Sequence, residues 1–112
     1  MNPNAKQIEH WNGPAGQLWA SRHERNEFRL ANMQRALMAF AAPKTGMAVL
    51  DIGCGCGWTT LALAAAVAPG RAVGLDVSAP MLETARLNAN AEKLDVEFIE
   101  ADASINPFGR RY

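Results

Sequence analysis

The sequence predicts an α/β fold: a parallel sheet of about three strands, helices in its crossovers, and further helices ahead of the first strand. Three observations carry this. A short apolar run, Val49-Leu50-Asp51-Ile52, opens into a glycine turn and a helix start. Two more apolar runs, around Val73 and Val96, are each separated from the one before by a helix-period stretch. Strand-helix units in this order imply parallel pairing with right-handed crossovers. Residues before Gly46 instead repeat their apolar groups at three- and four-residue steps.

In chain order, residues 1–13 are polar, with Ile8 and Trp11 as their large apolar groups. From Pro14 to Phe40 the pattern is helical, through Leu18, Trp19, Leu30, Met33, Leu37 and Phe40, and a break near Arg25-Asn26 divides it into two helices. Arg22, Arg25, Arg29 and Arg35 alternate with Glu24 and Glu27, the pattern of a solvated helix face. Pro43-Lys44-Thr45-Gly46 turns the chain into strand one, Ala48 to Ile52. A helix from Thr59 to Ala68 stops at Pro69-Gly70, and strand two covers Ala72 to Val77. Ser78 caps the next helix, which carries Pro80 in its first turn and presents Met81, Leu82, Ala85 and Ala89 on one side as far as Ala91. Strand three is Val96 to Ala101. The chain divides into a helical segment, 1–46, and an α/β unit, 47–112.

Composition narrows the function classes. Of 112 residues 49% are hydrophobic and 20% charged, and 11 basic residues balance 11 acidic ones. That is an ordinary globular domain, with no charge excess for a nucleic-acid backbone or an anionic membrane. No apolar run reaches bilayer length, and the first residues lack the apolar core of a signal peptide, so a cytoplasmic location is expected. Cys54 and Cys56 lie one residue apart in the glycine turn, where a disulfide would be strained. No further Cys or clustered His completes a metal site, so none is expected. The two cysteines read as small side chains packed in a turn, and His10 and His23 as surface residues.

Chemistry concentrates in the glycine turn. Gly53, Gly55 and Gly57 alternate, and Thr59-Thr60 then opens a helix. This geometry lets a backbone close on a nucleoside-containing ligand. Asp51, just before the turn, would repel a pyrophosphate and attract an ammonium or sulfonium. The third glycine of a dinucleotide fingerprint would fall at Trp58, so a nicotinamide-dependent oxidoreductase is disfavoured. Asp76, about twenty residues further on at the tip of strand two, is placed to accept both hydroxyls of a ribose.

The run from Val49 to Thr60 resembles motif I of the class I S-adenosylmethionine-dependent methyltransferases. Val73-Gly74-Leu75-Asp76-Val77-Ser78 resembles that family's second strand with its terminal acid. Val96-Glu97-Phe98-Ile99-Glu100-Ala101-Asp102-Ala103 resembles the third, with an acid-alanine pair beside adenine. The resemblance implies a Rossmann-like sheet, S-adenosylmethionine as cofactor and methyl transfer to a small-molecule acceptor. It also implies roles for the site residues. Gly53, Gly55 and Gly57 would approach the methionine and ribose portions, and Asp51 would lie near the ammonium. Val77 and Met81 would contact the adenine faces, Asp102 would accept from the adenine amino group, and the Ala103 N–H would meet a ring nitrogen.

Structural alternatives stay open beside these roles. The turn can serve packing alone, Asp51 can cap the loop, Asp76 can act as a helix N-terminal acid, Met81 can belong to the core, and Asp102 can be a solvated loop acid. Trp11 and Trp19 fit either a lid or a core. No catalytic residue is assigned, because transfer from a sulfonium needs orientation more than acid-base groups.

After Asp102 the sequence runs to Tyr112, about where the family places a fourth strand beside strand one. The expectation is a sheet truncated after about three strands, with its helices on one face. Its other face and the strand-one edge would favour a homo-oligomer through the uncovered surface. A non-catalytic cofactor-binding or dimerisation module is the alternative function.

Overall fold

A computed structural model describes residues 2–105 and 112. Helices α1 (Ala5–Asn12), α2 (Pro14–Ser21) and α3 (His23–Ala41) precede β1 (Ala48–Ile52), α4 (Trp58–Val67), β2 (Arg71–Asp76), α5 (Ala79–Ala91) and β3 (Glu97–Glu100). The strands pair in parallel in the order β1-β2-β3, with Asp51 opposite Gly74 and Gly74 opposite Phe98. The α/β elements lie within about a residue of their predicted bounds. The segment in which the family places a fourth strand falls mostly at 106–111, outside the described residues.

Alternation along the strands puts Asp51, Gly74 and Phe98 on one face. Helices α4 and α5 pack on that face. Phe98 joins Leu61, Leu82, Ala85 and Ala89 in the core, where each large side chain contributes about 1.5–3 kcal/mol by burial. Gly74 makes this possible, because a Cβ there would lie 2.7 Å from the Phe98 ring. The opposite face carries Leu50, Ile52, Val73, Leu75 and Ile99. Val73 and Leu75, on the central strand, are buried, whereas Ile52 on β1 is 59% exposed. The Tyr112 ring lies 5.3 Å from the Arg71 guanidinium carbon.

Local signals in α5 hold as read. The Ser78 hydroxyl accepts from the Met81 N–H, Pro80 sits in the first turn, and Met81, Leu82, Ala85 and Ala89 form the buried side.

The N-terminal third differs from expectation in two ways. The polar opening segment contains a helix, α1, which Asn12 fastens to the sheet end. The Asn12 amide donates to the Val77 carbonyl at 2.7 Å and accepts from the Ala79 N–H at 2.9 Å. Second, the helix break falls at Arg22, not at Arg25-Asn26. The Asn26 N–H bonds the Arg22 carbonyl, which places both of those residues in the first turn of α3. The apolar stripe of α3 lies outside the core, since no residue of that helix is buried. Helices α1 and α2 instead dock on the start of α5. There Gly16 is buried so tightly that a Cβ would lie 2.8 Å from the Ser78 hydroxyl.

Candidate functional site

The site is assembled where the strands end. Gly53, Gly55 and Gly57 all have positive φ, at 74, 55 and 88°. Gly57 caps α4 in the left-handed region, and a Cβ there would press on Ala85 and the Phe98 ring at 3.0 Å. Gly55 lies over Met81, whose methyl carbon would be 2.7 Å from an added Cβ. A side chain at Gly57 would therefore lift the loop off α5 and β3, whereas one at Gly55 would displace the Met81 side-chain end and strain a positive-φ backbone.

Asp76 fixes the loop from the neighbouring strand. Its carboxylate accepts from the Gly55 N–H at 2.8 Å through one oxygen and from the Ser78 N–H at 2.9 Å through the other. The Asp76 carbonyl accepts from the Ala101 N–H at 3.0 Å, bringing the end of β3 alongside. Asp102 follows directly. It accepts from the Asn2 amide at 2.9 Å and from the Ser104 N–H and hydroxyl. The Asn2 and Ser104 hydrogen bonds hold its carboxyl down at about 2.

A cleft of about 920 Å³ runs from these strand tips to the N-terminal helices. Gly53, Gly55, Gly57, Asp76, Val77, Met81, Asp102 and Ala103 all line it. Asp51 does not. Strand alternation turns its carboxylate to the helix side, where it accepts from the Thr60 hydroxyl at 2.7 Å. Burial raises the Asp51 pKa, the Thr60 hydrogen bond opposes that shift, and the charge of Asp76 adds to it. Thus Asp51 stands behind the loop as a support. Met81 serves both readings, being buried in the first turn of α5 and also part of the wall.

Trp11 and Trp19 line the same cleft and meet edge to face, 6.5 Å between centroids. His10 is exposed as expected, but His23 is half-buried. Its ring stacks on Trp58 at 5.5 Å, and the Trp58 indole N–H donates to the His23 carbonyl at 3.1 Å. No sequence signal marked this contact, because the partners lie 35 residues apart and belong to different helices. Burial, then the charge of Asp76, pushes the Cys56 thiol up to about 11, and the same causes raise Cys54. Both cysteines are therefore poor nucleophiles. Among the described residues no cluster of His, Cys, Asp and Glu could hold a metal ion, and no helix is long and apolar enough to cross a membrane.

Known proteins resemble this chain in sequence and fold. Residues 49–111 match the family model described as a methyltransferase domain. The chain is 41% identical over 66 residues to the demethylmenaquinone methyltransferase of Lactococcus lactis, covering 57% of this chain and 26% of that protein. It is 37% identical over 75 residues to the Thermus thermophilus enzyme of the same name, covering 67% and 34%. The chain thus spans only about a quarter to a third of the length of these relatives. Coclaurine N-methyltransferase bound to N-methylheliamine and SAH is similar in structure at a TM-score of 0.68, with 26% identity over 73% of this chain and 25% of that one. Magnesium protoporphyrin IX methyltransferase from Synechocystis, with bound SAM, shares the fold at a TM-score of 0.73. It is 19% identical over 100% of this chain and 59% of that one.

Proposed function

The chain belongs to the class I S-adenosylmethionine-dependent methyltransferase family, and from that premise we propose that it forms the cofactor-binding part of an enzyme that methylates a small-molecule acceptor. The observation that carries this reading is the Asp76 carboxylate, anchored by two backbone amides at the mouth of the cleft. Each of its oxygens keeps a lone pair, enough for two ribose hydroxyls. Gly53 supports the fit as well, since a Cβ there would meet no atom within 4 Å. The loop backbone is therefore open to close approach by a ligand.

S-adenosylmethionine, when bound, supplies a methyl group on an electrophilic sulfonium. The work left to the chain is binding, orientation and exclusion of water. The loop glycines give the methionine and ribose portions backbone to lie against. Val77 and Met81 flank the adenine, while Asp102 and the Ala103 N–H read its edge. Asp51 holds the loop through Thr60 and adds negative potential beneath a cationic ligand. Trp11 and Trp19 cover the open side.

In this reading residues 1–46 are the helical cover and 47–112 the cofactor-binding unit of a cytoplasmic protein. The exposed Ile52 and the edge position of β1 among the described residues support self-association through that side of the sheet. Light scattering should give a dimer or larger species, and a monodisperse monomer contradicts this part of the proposal. Transfer of labelled methyl from S-adenosylmethionine to a panel of small acceptors tests the activity. Cofactor binding without any transfer would favour the non-catalytic module.

A further inference from the structure

The two walls of the cleft differ in chemistry. Backbone amides and the carboxylates of Asp76 and Asp102 gather on the strand-tip side. Helix α3 forms much of the facing wall with Leu30, Met33 and Leu37. These residues recur at steps of three and four, which makes one helical stripe. Core packing does not account for them, because they are 44, 68 and 50% exposed. A continuous apolar stripe left open on a cleft wall marks a place where something apolar docks. Space is available as well, since about 920 Å³ lies near the top of the range of about 300–1,000 Å³ typical of single small-molecule sites.

His23 lies on the same face of α3, at the helix start. Its Nδ1 is 3.4 Å from the Asn88 amide nitrogen, which also donates to the Cys56 carbonyl at 3.1 Å. A carbonyl can only accept, so Asn88 presents its NH₂ group to both partners. Nδ1 is then the acceptor, and the neutral imidazole carries its proton on Nε2. Stacking on Trp58 holds the ring plane. Glu27 is the one carboxylate that α3 contributes to the cleft, which disfavours an anionic ligand there.

We propose that the α3 side of the cleft is the acceptor subsite, and that it takes a largely apolar molecule carrying one oxygen. Leu30, Met33 and Leu37 cover the apolar body, and the His23 Nε2–H positions the oxygen. His23 is a positioning residue here, a hydrogen-bond donor and not a base. The proposal rests on the methyltransferase reading above, which assigns the other wall to the cofactor.

1-Naphthol is a suitable probe, being largely apolar and equipped with a single hydroxyl. It is titrated by fluorescence into the full chain, with and without saturating S-adenosylhomocysteine. The wild-type chain should bind it. A double variant, Leu30→Asp with Leu37→Asp, changes only exposed positions and should weaken naphthol binding about tenfold or more, with S-adenosylhomocysteine affinity unchanged. His23→Phe keeps the ring stack and removes the donor. It should weaken naphthol about fivefold and leave naphthalene binding unaffected. Absence of naphthol binding to the wild-type chain, or equal binding by the stripe variant, overturns the proposal even when S-adenosylhomocysteine binds. If S-adenosylhomocysteine does not bind, the cofactor reading fails instead, and naphthol titration of the free chain still decides the fate of the stripe.

Discussion

The Asp76 carboxylate accepts the Gly55 N–H at 2.8 Å and so ties the tip of β2 to the middle of the glycine loop. Loop shape and ligand recognition thereby depend on one side chain. Asp76→Ala removes two charge-assisted hydrogen bonds, each worth about 1.5–3 kcal/mol. We expect affinity for S-adenosylhomocysteine to fall at least about tenfold, and urea unfolding to register a loss of about 2 kcal/mol or more. An unchanged dissociation constant would remove Asp76 from the site.

Gly55→Val should abolish cofactor binding. The position has φ +55°, and its Cβ would lie 2.7 Å from the Met81 methyl carbon. A β-branched residue resists that backbone conformation and displaces the Met81 methyl group from the wall of the cleft. Circular dichroism should show the helices retained while calorimetric titration shows no heat of binding. Tight binding by a folded variant refutes the role of the loop.

Thr60→Val leaves the Asp51 carboxylate without its hydrogen-bond donor. The pKa of Asp51 is already raised by burial, and loss of the Thr60 bond, which lowers it, raises it further. A raised folded-state pKa penalises the ionised form, so the cost is present in full above that pKa and fades as pH falls through it. Denaturant unfolding should show a loss of about 1–3 kcal/mol at neutral pH, shrinking as the medium is acidified towards protonation of Asp51. A pH-independent loss would contradict the assigned cause.

Asp102 has the opposite sign. Its carboxyl is held at about 2, against an ordinary value of 3.8, by Asn2 and Ser104. Its contribution to stability is complete above pH 3.8 and is lost as pH falls towards 2. Asn2→Ala should move the Asp102 titration, followed by NMR, upwards towards the ordinary carboxylate value. A titration that stays in place would show that the Asn2 contact does not form in solution.

Much of the α/β unit was legible from residues alone, for local reasons. Strand one ends where its β-branched residues give way to alternate glycines, and Ser78 with Pro80 announces the start of α5. The 3.6-residue period selects Met81, Leu82, Ala85 and Ala89. What escaped depends on contacts distant in sequence. Helix α1 carries few apolar groups, and its anchor is Asn12 reaching the Val77 carbonyl 65 residues away. Periodicity located the stripe of α3 and could not say whether it faced a core or a cleft. Asp51 was readable in part, since alternation along β1 places it on the Thr60 side, away from the loop surface.

Isothermal titration of the full chain with S-adenosylhomocysteine and, separately, with NAD tests the central claim most directly. The account predicts saturable one-to-one binding of S-adenosylhomocysteine, weakened by Asp76→Ala, and no heat of binding with NAD. Binding of NAD in preference to S-adenosylhomocysteine, or no binding of S-adenosylhomocysteine by the folded chain, would contradict it.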